Sequence, residues 1–245
     1  KRLYFFFFEK KLLKNCTKLI AINELKKKYY NNLGFYKKII KIPNGINRIK
    51  HKSDRNISKF VKKDKINIIF LARISRLKGI DLLLKTIDDY QNKLKYFHFH
   101  IAGYDEEGYF KSINKELLNK NNVTYYGHLN SNQKYSLIKK MDALILPSFG
   151  EGLSISILEA LYFKKIILTS YLIKFSNEKF EINFNLNNKS IFNGLKKFEK
   201  LKFSNQFKIE TNNANKYVLE NYSWKNIIEK YLKLSRNALI EKNYD

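Results

Sequence analysis

The sequence predicts an α/β fold built on a doubly wound parallel sheet. Between residues 66 and 170, apolar runs of strand length alternate with longer segments whose apolar residues recur at helical spacing. Several runs end beside a glycine or proline, at 103, 127 and 147, which indicates short turns. The first run, INIIFLA, is apolar throughout, as expected for a strand buried on both faces of a sheet. Strands that alternate with helices in this way are typical of parallel sheets covered by helices.

Five strands and four helices are predicted in this region. The strands are predicted at residues 66–72, 97–102, 123–126, 143–146 and 166–169. The helices are predicted at 78–91, 109–119, 131–140 and 153–163. Asn130 or Ser131 is a suitable N-cap for the third helix. Ligands bind at the carboxyl ends of the strands in such sheets, so polar residues there are the first candidates for a site.

The flanking segments are organised differently. Residues 19–22 and 39–42 are predicted strands, with a helix over 24–33 between them and a Pro-Asn-Gly turn at 43–45. Residues 47–64 are charged and rich in turn-forming residues, and we interpret them as a linker. The pattern is irregular from 170 to about 210. A helical stretch follows over 213–240, interrupted near 221–223, where Ser223 is a suitable cap for a helix that begins with Trp224.

The composition is that of a packed protein from a reducing compartment. The hydrophobic fraction is 44% and the aromatic fraction is 15%, which excludes a disordered chain. A single cysteine, Cys16, excludes a disulfide framework within these residues. The cysteine and the four histidines show no metal-ligand spacing, so no metal site is expected. His98 and His100 alternate along a predicted strand, and we interpret both as structural residues on one sheet face.

The formal net charge of +26 has two interpretations. A basic face attracts nucleic acid or anionic lipid. Alternatively, the charge reflects a bias of the whole sequence, because lysine, asparagine and isoleucine are abundant throughout. No recognition-helix motif and no RNA-binding aromatic signature accompanies the charge, so we favour the second interpretation, followed by attraction to a membrane surface.

The most informative motif is PSFGEGLSISILEAL, at residues 147–161. A predicted strand enters a turn that carries Glu151, and an apolar-periodic helix follows with Glu159 eight residues later. A glycine-flanked turn before a helix presents backbone N–H groups and the positive end of the helix dipole, which suits a phosphate. Carboxylates suit hydroxyl groups beside the phosphate. The motif therefore predicts a ligand that has both, as a nucleotide sugar does.

Two cations follow the first predicted strand of the sheet. Arg73 comes directly after it, and Lys78 follows five residues later. An arginine and a lysine at one strand end can clamp a diphosphate, although both could equally be solvated surface residues in so basic a chain. The order of all the motifs favours the diphosphate. The motifs are Pro-Asn-Gly at 43–45, Arg-x4-Lys-Gly at 73–79, Ile-Ala-Gly at 101–103, Tyr-Gly-His at 126–128, Pro-Ser-Phe-Gly-Glu-Gly at 147–152 and Leu-Glu-Ala at 158–160.

In this order and spacing, the sequence resembles the retaining glycosyltransferases of family 4, which have the GT-B fold of two Rossmann-like domains. The resemblance covers residues 19 to about 170, and its most specific part is the E-x7-E motif of Glu151 and Glu159. It implies a remnant of the N-terminal, acceptor-side domain at 1–46, the linker at 47–64 and a donor-binding Rossmann-like domain at 65–212. Helices at 213–245 are expected to pack back across the domains, and the rest of the N-terminal domain is expected to be missing.

The resemblance implies catalytic roles for three residues. Arg73 and Lys78 are expected to bind the donor diphosphate and to stabilise charge on the leaving nucleotide. Glu151 is expected to lie at the sugar, where it contacts hydroxyls or supports an oxocarbenium-like transition state.

The same resemblance implies further donor-binding positions. Glu159 is expected to accept the ribose hydroxyls, because helix side chains lean toward the N-terminus. Backbone N–H groups after Gly152 are expected to hold phosphate or sugar oxygens, and the chain near Gly127 is expected to touch the base. Besides Glu159, the implied positions are Gly103, Gly127, His128, Leu129, Gly152, Leu153 and Ser154.

Each candidate also has a simpler interpretation. Glu159 could be an exposed helix residue, and Glu151 could be a first-turn glutamate that favours the helix dipole. His128 is interpreted as a loop histidine rather than as a reacting group. The sequence also departs from the family, since Lys164 and Ile166 stand where glycine and proline are usual, and residues 171–188 contain neither.

We therefore predict the donor-binding half of a glycosyltransferase that moves a hexose, with retention, from a UDP- or GDP-linked donor to a glycan or lipid-linked acceptor. No metal, other cofactor or specific nucleic acid is expected. A cytoplasmic location is expected, with a basic surface suited to the inner face of a membrane. Two alternatives are a non-catalytic nucleotide-sugar-binding remnant of the same fold, favoured by the departures, and a nucleic-acid-binding protein, favoured by charge alone.

Overall fold

The computed structural model describes residue 8 and residues 10–54, 56–105, 108–109 and 120–242. It forms two compact units, one comprising Lys1–Asn47 with Glu220–Asp245 and the other comprising Arg48–Leu219. The helix predicted over 109–119 lies outside the described residues except at its first position. The domain boundaries inferred from the sequence stay predictions.

Helices and strands are numbered in chain order. The described helices are α1 (Lys10–Asn15), α2 (Glu24–Asn32), α3 (Ile80–Asp89), α4 (Ser131–Lys140), α5 (Ile155–Tyr162), α6 (Asn188–Lys202), α7 (Gln206–Tyr222) and α8 (Trp224–Lys242). The described strands are β1 (Leu19–Ala21), β2 (Ile39–Lys41), β3 (Ile66–Leu71), β4 (Phe97–Ala102), β5 (Val123–Tyr125), β6 (Ala143–Leu146), β7 (Ile166–Ser170) and β8 (Glu181–Phe184). In this part of the chain, no helix has the length and apolar content needed to cross a membrane.

The larger unit is built on a parallel sheet of six strands, in the order β5-β4-β3-β6-β7-β8. Every neighbouring pair is parallel, and every residue of β3 and β4 is buried. The chain winds outward from β3 to β5 and then outward from β6 to β8, so its direction of winding reverses between β3 and β6. This order confirms the predicted doubly wound α/β fold, and it puts the ligand crevice at the carboxyl ends of β3 and β6.

The prediction of irregular structure from 170 to about 210 is wrong. This region contains β8 and α6, and α7 begins at Gln206 rather than near 213. The strand has alternating polar and apolar residues instead of a continuous apolar run, and it begins with buried Glu181, whose carboxylate accepts backbone N–H bonds from Phe175 (2.9 Å) and Ser176 (2.5 Å). The helix was hidden in part by Gly194, where an added Cβ would lie 3.2 Å from the Phe184 ring.

Two predicted helices begin later than expected. The chain after β3 first makes a 3₁₀ turn at Arg76–Lys78, and Gly79 takes a left-handed conformation (φ 72°) before α3 begins at Ile80. The helix expected from 153 begins at Ile155, with Ser154 as its N-cap. Both cations and both glutamates of the motifs therefore belong to turns and a helix that start at the carboxyl ends of β3 and β6.

Buried polar side chains connect the first three strands of the sheet. His98 Nε2 lies 2.8 Å from Thr124 Oγ1, and His100 Nδ1 lies 2.7 Å from Tyr126 Oη. His100 Nε2 lies 2.9 Å from Asn67 Oδ1. Both histidines are buried with protein partners, as their structural interpretation predicts.

Burial lowers the pKa of both histidines. Burial lowers the pKa of His98, helped by the positive charges of Lys62 and Lys65. Burial also lowers the pKa of His100 to about 3, with a smaller contribution from His98. The sheet is therefore built around neutral imidazole rings.

The smaller unit contains the parallel pair β1–β2. Its N-terminal part is joined to the start of α8 by Ile46, whose N–H donates to Tyr222 O at 2.7 Å and whose carbonyl accepts from Trp224 N at 3.2 Å. Gly45 of the Pro-Asn-Gly turn lies against the Trp224 ring, since an added Cβ would approach it to 2.8 Å. Ser223 caps α8 by accepting the Asn226 N–H at 3.4 Å, as predicted.

Candidate functional site

The turns that follow β3 and β6 are fastened to each other. Leu77 O accepts the Phe149 N–H at 2.9 Å and the Ser148 hydroxyl at 3.0 Å. The Ser170 hydroxyl, at the end of β7, donates to Ser148 O at 2.6 Å. Gly79 allows this approach, because a Cβ at that position would lie 2.0 Å from Pro147 O. The two turns therefore form one preorganised structure where the winding of the sheet reverses.

Lys78 and Glu151 form an ion pair within this structure, between Lys78 Nζ and Glu151 Oε1. Their side chains are only 10% and 15% exposed. Glu151 precedes α5, whose first turn contains no acidic residue, so its interpretation as a first-turn glutamate is excluded. An ammonium group has three N–H donors, so Lys78 can hold Glu151 and still bind a phosphate oxygen.

Arg73 lies on the same connection as Lys78 but is exposed. The chain on either side of it continues the ladder with β4, through Ala72 N to Ala102 O at 3.2 Å and Ile74 N to Tyr104 O at 2.9 Å. Gly103 makes this close approach possible, because its Cβ would lie 1.7 Å from Ala72 O. Packing alone accounts for Gly103, and its place in a donor site stays a prediction.

Glu159 lies on α5 and is buried, with 4% of its surface exposed. Its Oε1 accepts a hydrogen bond from Lys134 Nζ at 2.5 Å and another from the Tyr135 hydroxyl at 3.2 Å. This environment excludes the interpretation of Glu159 as an exposed helix residue. Both donors come from α4, so the carboxylate is held between two helices.

Tyr135 is packed as well as hydrogen-bonded. Burial raises the pKa of its hydroxyl, and the negative charge of Glu159 raises it further. The ring lies 5.9 Å from the rings of His51 and Phe163, and Lys134 Nζ lies 4.5 Å from its centre. A neutral phenol that keeps its proton is a lasting hydrogen-bond donor to the carboxylate.

The N-terminus of α5 lies between the two glutamates. The Ser154 side chain makes no capping hydrogen bond, while Ser154 O accepts the N–H of Ile157 at 3.2 Å. The first N–H groups of a helix have no acceptor inside it. Gly152, Leu153 and Ser154 therefore lead into a helix end that suits an anion.

The loop after β5 is predicted to contact the base. Gly127 takes a left-handed conformation (φ 65°) and its carbonyl accepts the Gly103 N–H at 2.9 Å. His128 is exposed, with its ring edge-on to Tyr104 at 6.2 Å, and Leu129 is half-buried. This loop lies two strands from β3, about 10 Å at ordinary strand spacing.

Sequence reasoning found both glutamates and missed what holds them. Lys134 and Tyr135 carry no motif, and nothing in their spacing indicates that they reach Glu159. The hydrogen bond between Ser148 and Leu77 goes to a backbone carbonyl, and a sequence pattern does not show contacts of this kind. Only Gly79 gave a signal, as the last residue of Arg-x4-Lys-Gly.

Two other features bear on what the chain binds. Among the described residues, no group of three or more His, Cys, Asp or Glu side chains is arranged to hold a metal ion. Cavities of about 770 and 1000 Å³ lie at the opposite, amino-terminal edge of the sheet, lined by residues such as Asn67 and Asp142 in one and His98 in the other.

Part of the chain matches a known protein family. The model of the family described as "Glycosyl transferases group 1" matches residues 52–185. An uncharacterized glycosyltransferase of Methanocaldococcus jannaschii is 28% identical over 181 residues, which cover 70% of this chain and 45% of that protein. The chain spans less than half the length of the curated relatives it matches.

Solved structures share the fold. The crystal structure of a glycosyltransferase from Rickettsia africae matches with a TM-score of 0.81 and 16% identity, covering 98% of this chain and 68% of that one. The Anabaena protein HepE, in complex with UDP-glucose, matches with a TM-score of 0.72 and 15% identity, covering 94% and 68% of the two chains.

Proposed function

The chain belongs to the glycosyl transferases group 1 family, and on that premise we propose that its larger unit binds the nucleotide-sugar donor of a hexosyltransferase. The observation that carries the proposal is the arrangement at the carboxyl ends of β3 and β6. There, Lys78 pairs with Glu151 just before the N-terminus of α5, and Glu159 lies on α5, eight residues after Glu151. Within the family, the E-x7-E motif favours the retaining enzymes of family 4.

The donor is proposed to lie along the edge formed by these elements. Arg73, Lys78 and the N-terminus of α5 bind the diphosphate, because fixed cations and N–H groups suit an anion. Glu159 accepts the ribose hydroxyls, and the loop at 127–129 lies along the base. The uridine nucleotide in complex with HepE supports a UDP-linked donor as the first candidate, with GDP-linked donors next.

Transfer is proposed to proceed with retention. The bond between the anomeric carbon and the diphosphate oxygen breaks, and its electron pair stays on that oxygen. The acceptor hydroxyl forms the new bond to the anomeric carbon on the same face, and its proton passes to the departing diphosphate. Lys78 and Arg73 stabilise the charge that develops there, which is the largest catalytic term expected in such a site. Glu151 lies at the sugar, where its negative charge supports an oxocarbenium-like transition state. These cations do the work that a metal does elsewhere, so no metal or other cofactor is required.

The acceptor and the cellular location are also proposals. A glycan or a lipid-linked sugar is the proposed acceptor, and it requires a second domain beyond the unit described. A cytoplasmic enzyme that works at the inner face of a membrane fits the single cysteine and the net charge of +26.

The non-catalytic alternative rested on departures from the family, and one of them has a structural answer. Lys164, where the family usually has glycine, takes the left-handed conformation itself (φ 60°). The turn that leads into β7 is thus kept without glycine. This supports an intact donor unit over an eroded one.

Calorimetric titration with UDP-glucose, GDP-mannose, UDP and GDP tests the proposal. We expect either the uridine or the guanosine nucleotides to bind with measurable heat. The corresponding nucleoside monophosphate should bind with lower affinity, because the diphosphate contacts two cations. A folded chain that binds none of them overturns the proposal. Salt-dependent DNA binding that nucleotides do not displace favours the nucleic-acid alternative instead.

A further inference from the structure

The carboxylate of Glu159 has two unequal oxygens. Both hydrogen bonds, from Lys134 and Tyr135, go to Oε1. Within the described part of the chain, no group donates to Oε2. The one buried side-chain oxygen or nitrogen that lacks a partner in this part is Asp81 Oδ1, so Oε2 of Glu159 reaches solvent. Oε1 thus accepts two bonds from the protein, while Oε2 keeps contact with solvent and accepts none from the described residues.

Hydrogen bonds on either side of Lys134 and Tyr135 fix their part of α4. Asn130 and Gln133 form a capping box at the start of α4, with bonds of 3.0 and 3.2 Å between side chain and backbone. One turn further, the Ser136 hydroxyl accepts the Asp54 N–H at 2.9 Å. Lys134 and Tyr135 lie between these two anchors, so the helix presents both donors from a fixed frame.

The positive charge of Lys134 offsets the unfavourable free energy of burying the Glu159 carboxylate. Burying a carboxylate without a partner is unfavourable, and a hydrogen-bonded cation offsets that penalty. The cation also fixes the rotation of the carboxylate, because Lys134 and Tyr135 approach the same oxygen. Without them, the group could turn either oxygen outward or exchange its bonds between the two.

We propose that Lys134 and Tyr135 are positioning residues that hold Glu159 so that Oε2 accepts the hydroxyls of the donor ribose. This inference rests on the proposed donor site. It assigns the selectivity for ribose over deoxyribose to a carboxylate oriented by α4. A single oxygen with two lone pairs can accept from both the 2′- and the 3′-hydroxyl.

The test compares ribose and deoxyribose nucleotides in matched variants. The probe is whichever of UDP and GDP binds the chain more tightly, together with its 2′-deoxy and 3′-deoxy counterparts, measured by calorimetry. For the wild-type chain, we expect each deoxy nucleotide to bind about tenfold more weakly or worse, since a hydrogen bond to a charged group is lost.

Lys134→Met is expected to remove most of that preference. Binding of the ribose nucleotide should weaken about tenfold, and binding of the deoxy nucleotides should change less than twofold. Lys139→Met is the matched control, because Lys139 is exposed on the same helix and contributes the same charge. The control should keep the wild-type ratio.

The outcomes separate this inference from the function it rests on. If Lys134→Met weakens ribose and deoxyribose nucleotides equally, or weakens neither, the positioning role is overturned while the donor site stands. If the wild-type chain binds no nucleotide, both fall. Tyr135→Phe, which removes one hydroxyl, keeps the test decisive if Lys134→Met does not fold, with an expected two- to fivefold fall in the ratio.

Discussion

The two glutamates of the E-x7-E motif are both paired with a lysine, but the supports of the two pairs differ. Lys78 and Glu151 stand on turns, and those turns are joined by hydrogen bonds to Leu77 O and by the close approach of Gly79 to Pro147. Lys134 and Glu159 lie on helices, and the Tyr135 hydroxyl donates a second hydrogen bond to the same carboxylate. The comparison indicates that the position of Glu151, the proposed sugar contact, depends on backbone packing, whereas that of Glu159, the proposed ribose contact, depends on side-chain contacts.

Among the variants that affect one pair and not the other, Gly79→Ala is expected to have the largest effect, because it disturbs the turns that carry Lys78 and Glu151. The new methyl group would lie 2.0 Å from Pro147 O, in addition to the left-handed conformation at 72°. We expect a loss of about 3 kcal/mol or more in the free energy of unfolding, measured with urea, of which the backbone conformation accounts for about 1–2 kcal/mol.

Gly34→Ala is the control for this variant. Gly34 is also left-handed (φ 85°), but nothing lies within 4 Å of an added Cβ. It should lose only about 1 kcal/mol. Equal losses in the two variants would show that the turns are not held by their close approach.

Both pairs lie on elements that pack around a sheet with buried, neutral histidines. We therefore expect the free energy of unfolding of the folded chain to fall in acid. The pKa of His100 is lowered to about 3 in the folded chain, from an ordinary value near 6.5. The unfolded chain therefore binds the extra proton first as the pH falls, and stability is lost from about pH 6.5 downward. We expect the free energy of unfolding to fall by about 1.4 kcal/mol per pH unit for this histidine.

Urea unfolding at pH values from 7.5 to 4.5 measures this slope. His100→Gln should lower the slope, even though it also removes the bonds to Asn67 and Tyr126. A slope that survives His100→Gln would assign the acid sensitivity to other groups.

Lys78→Met should separate phosphate binding from ribose binding. We expect its affinity for a nucleoside diphosphate to fall by about 1.5–3 kcal/mol, because a charged hydrogen bond is lost. Affinity for the monophosphate should change much less. If calorimetry shows equal losses for both nucleotides, Lys78 acts through folding or general charge rather than on the terminal phosphate.

The smallest expected effect is a gain in stability. Lys164→Gly relieves a left-handed lysine (φ 60°) but removes its bond to Asn212 at 2.9 Å. We expect a net stabilisation of about 0.5 kcal/mol, since glycine is preferred after a helix end. Thermal unfolding of the two chains measures this difference. A clear destabilisation would show that the bond to Asn212 matters more than the backbone strain.

The predictable part of the fold is the part with a strong apolar period. Strands such as β3 are apolar at nearly every position, and their carboxyl ends carry Arg73, Lys78 and Glu151 in the sequence itself. A parallel sheet brings such ends together, which explains why Lys78 lies near Glu151, although the ion pair between them was not predicted. In contrast, β8 shows only a short alternation of polar and apolar residues over Glu181–Phe184, a strand signal that a search for continuous apolar runs misses.

The contacts of Glu159 could not be predicted for a different reason. Lys134 lies 25 residues earlier, on another helix, and its side chain reaches Glu159 only because α4 and α5 cover neighbouring parts of the sheet. Helical spacing indicates which face is apolar, but it does not indicate which lysine of many reaches a given carboxylate. In a chain with 48 lysines and arginines, only the three-dimensional structure shows which of them reaches Glu159.

The most direct test of the donor site is the affinity of Glu159→Ala for UDP or GDP, whichever the wild-type chain binds. We expect a loss of about 1.5–3 kcal/mol, because a charged acceptor of the ribose is removed. Glu199→Ala is the matched control, since Glu199 is also paired with a lysine, Lys196, and its side chain is 17% exposed. The control should bind like the wild-type chain. A folded Glu159→Ala variant with unchanged affinity would contradict the account of this site.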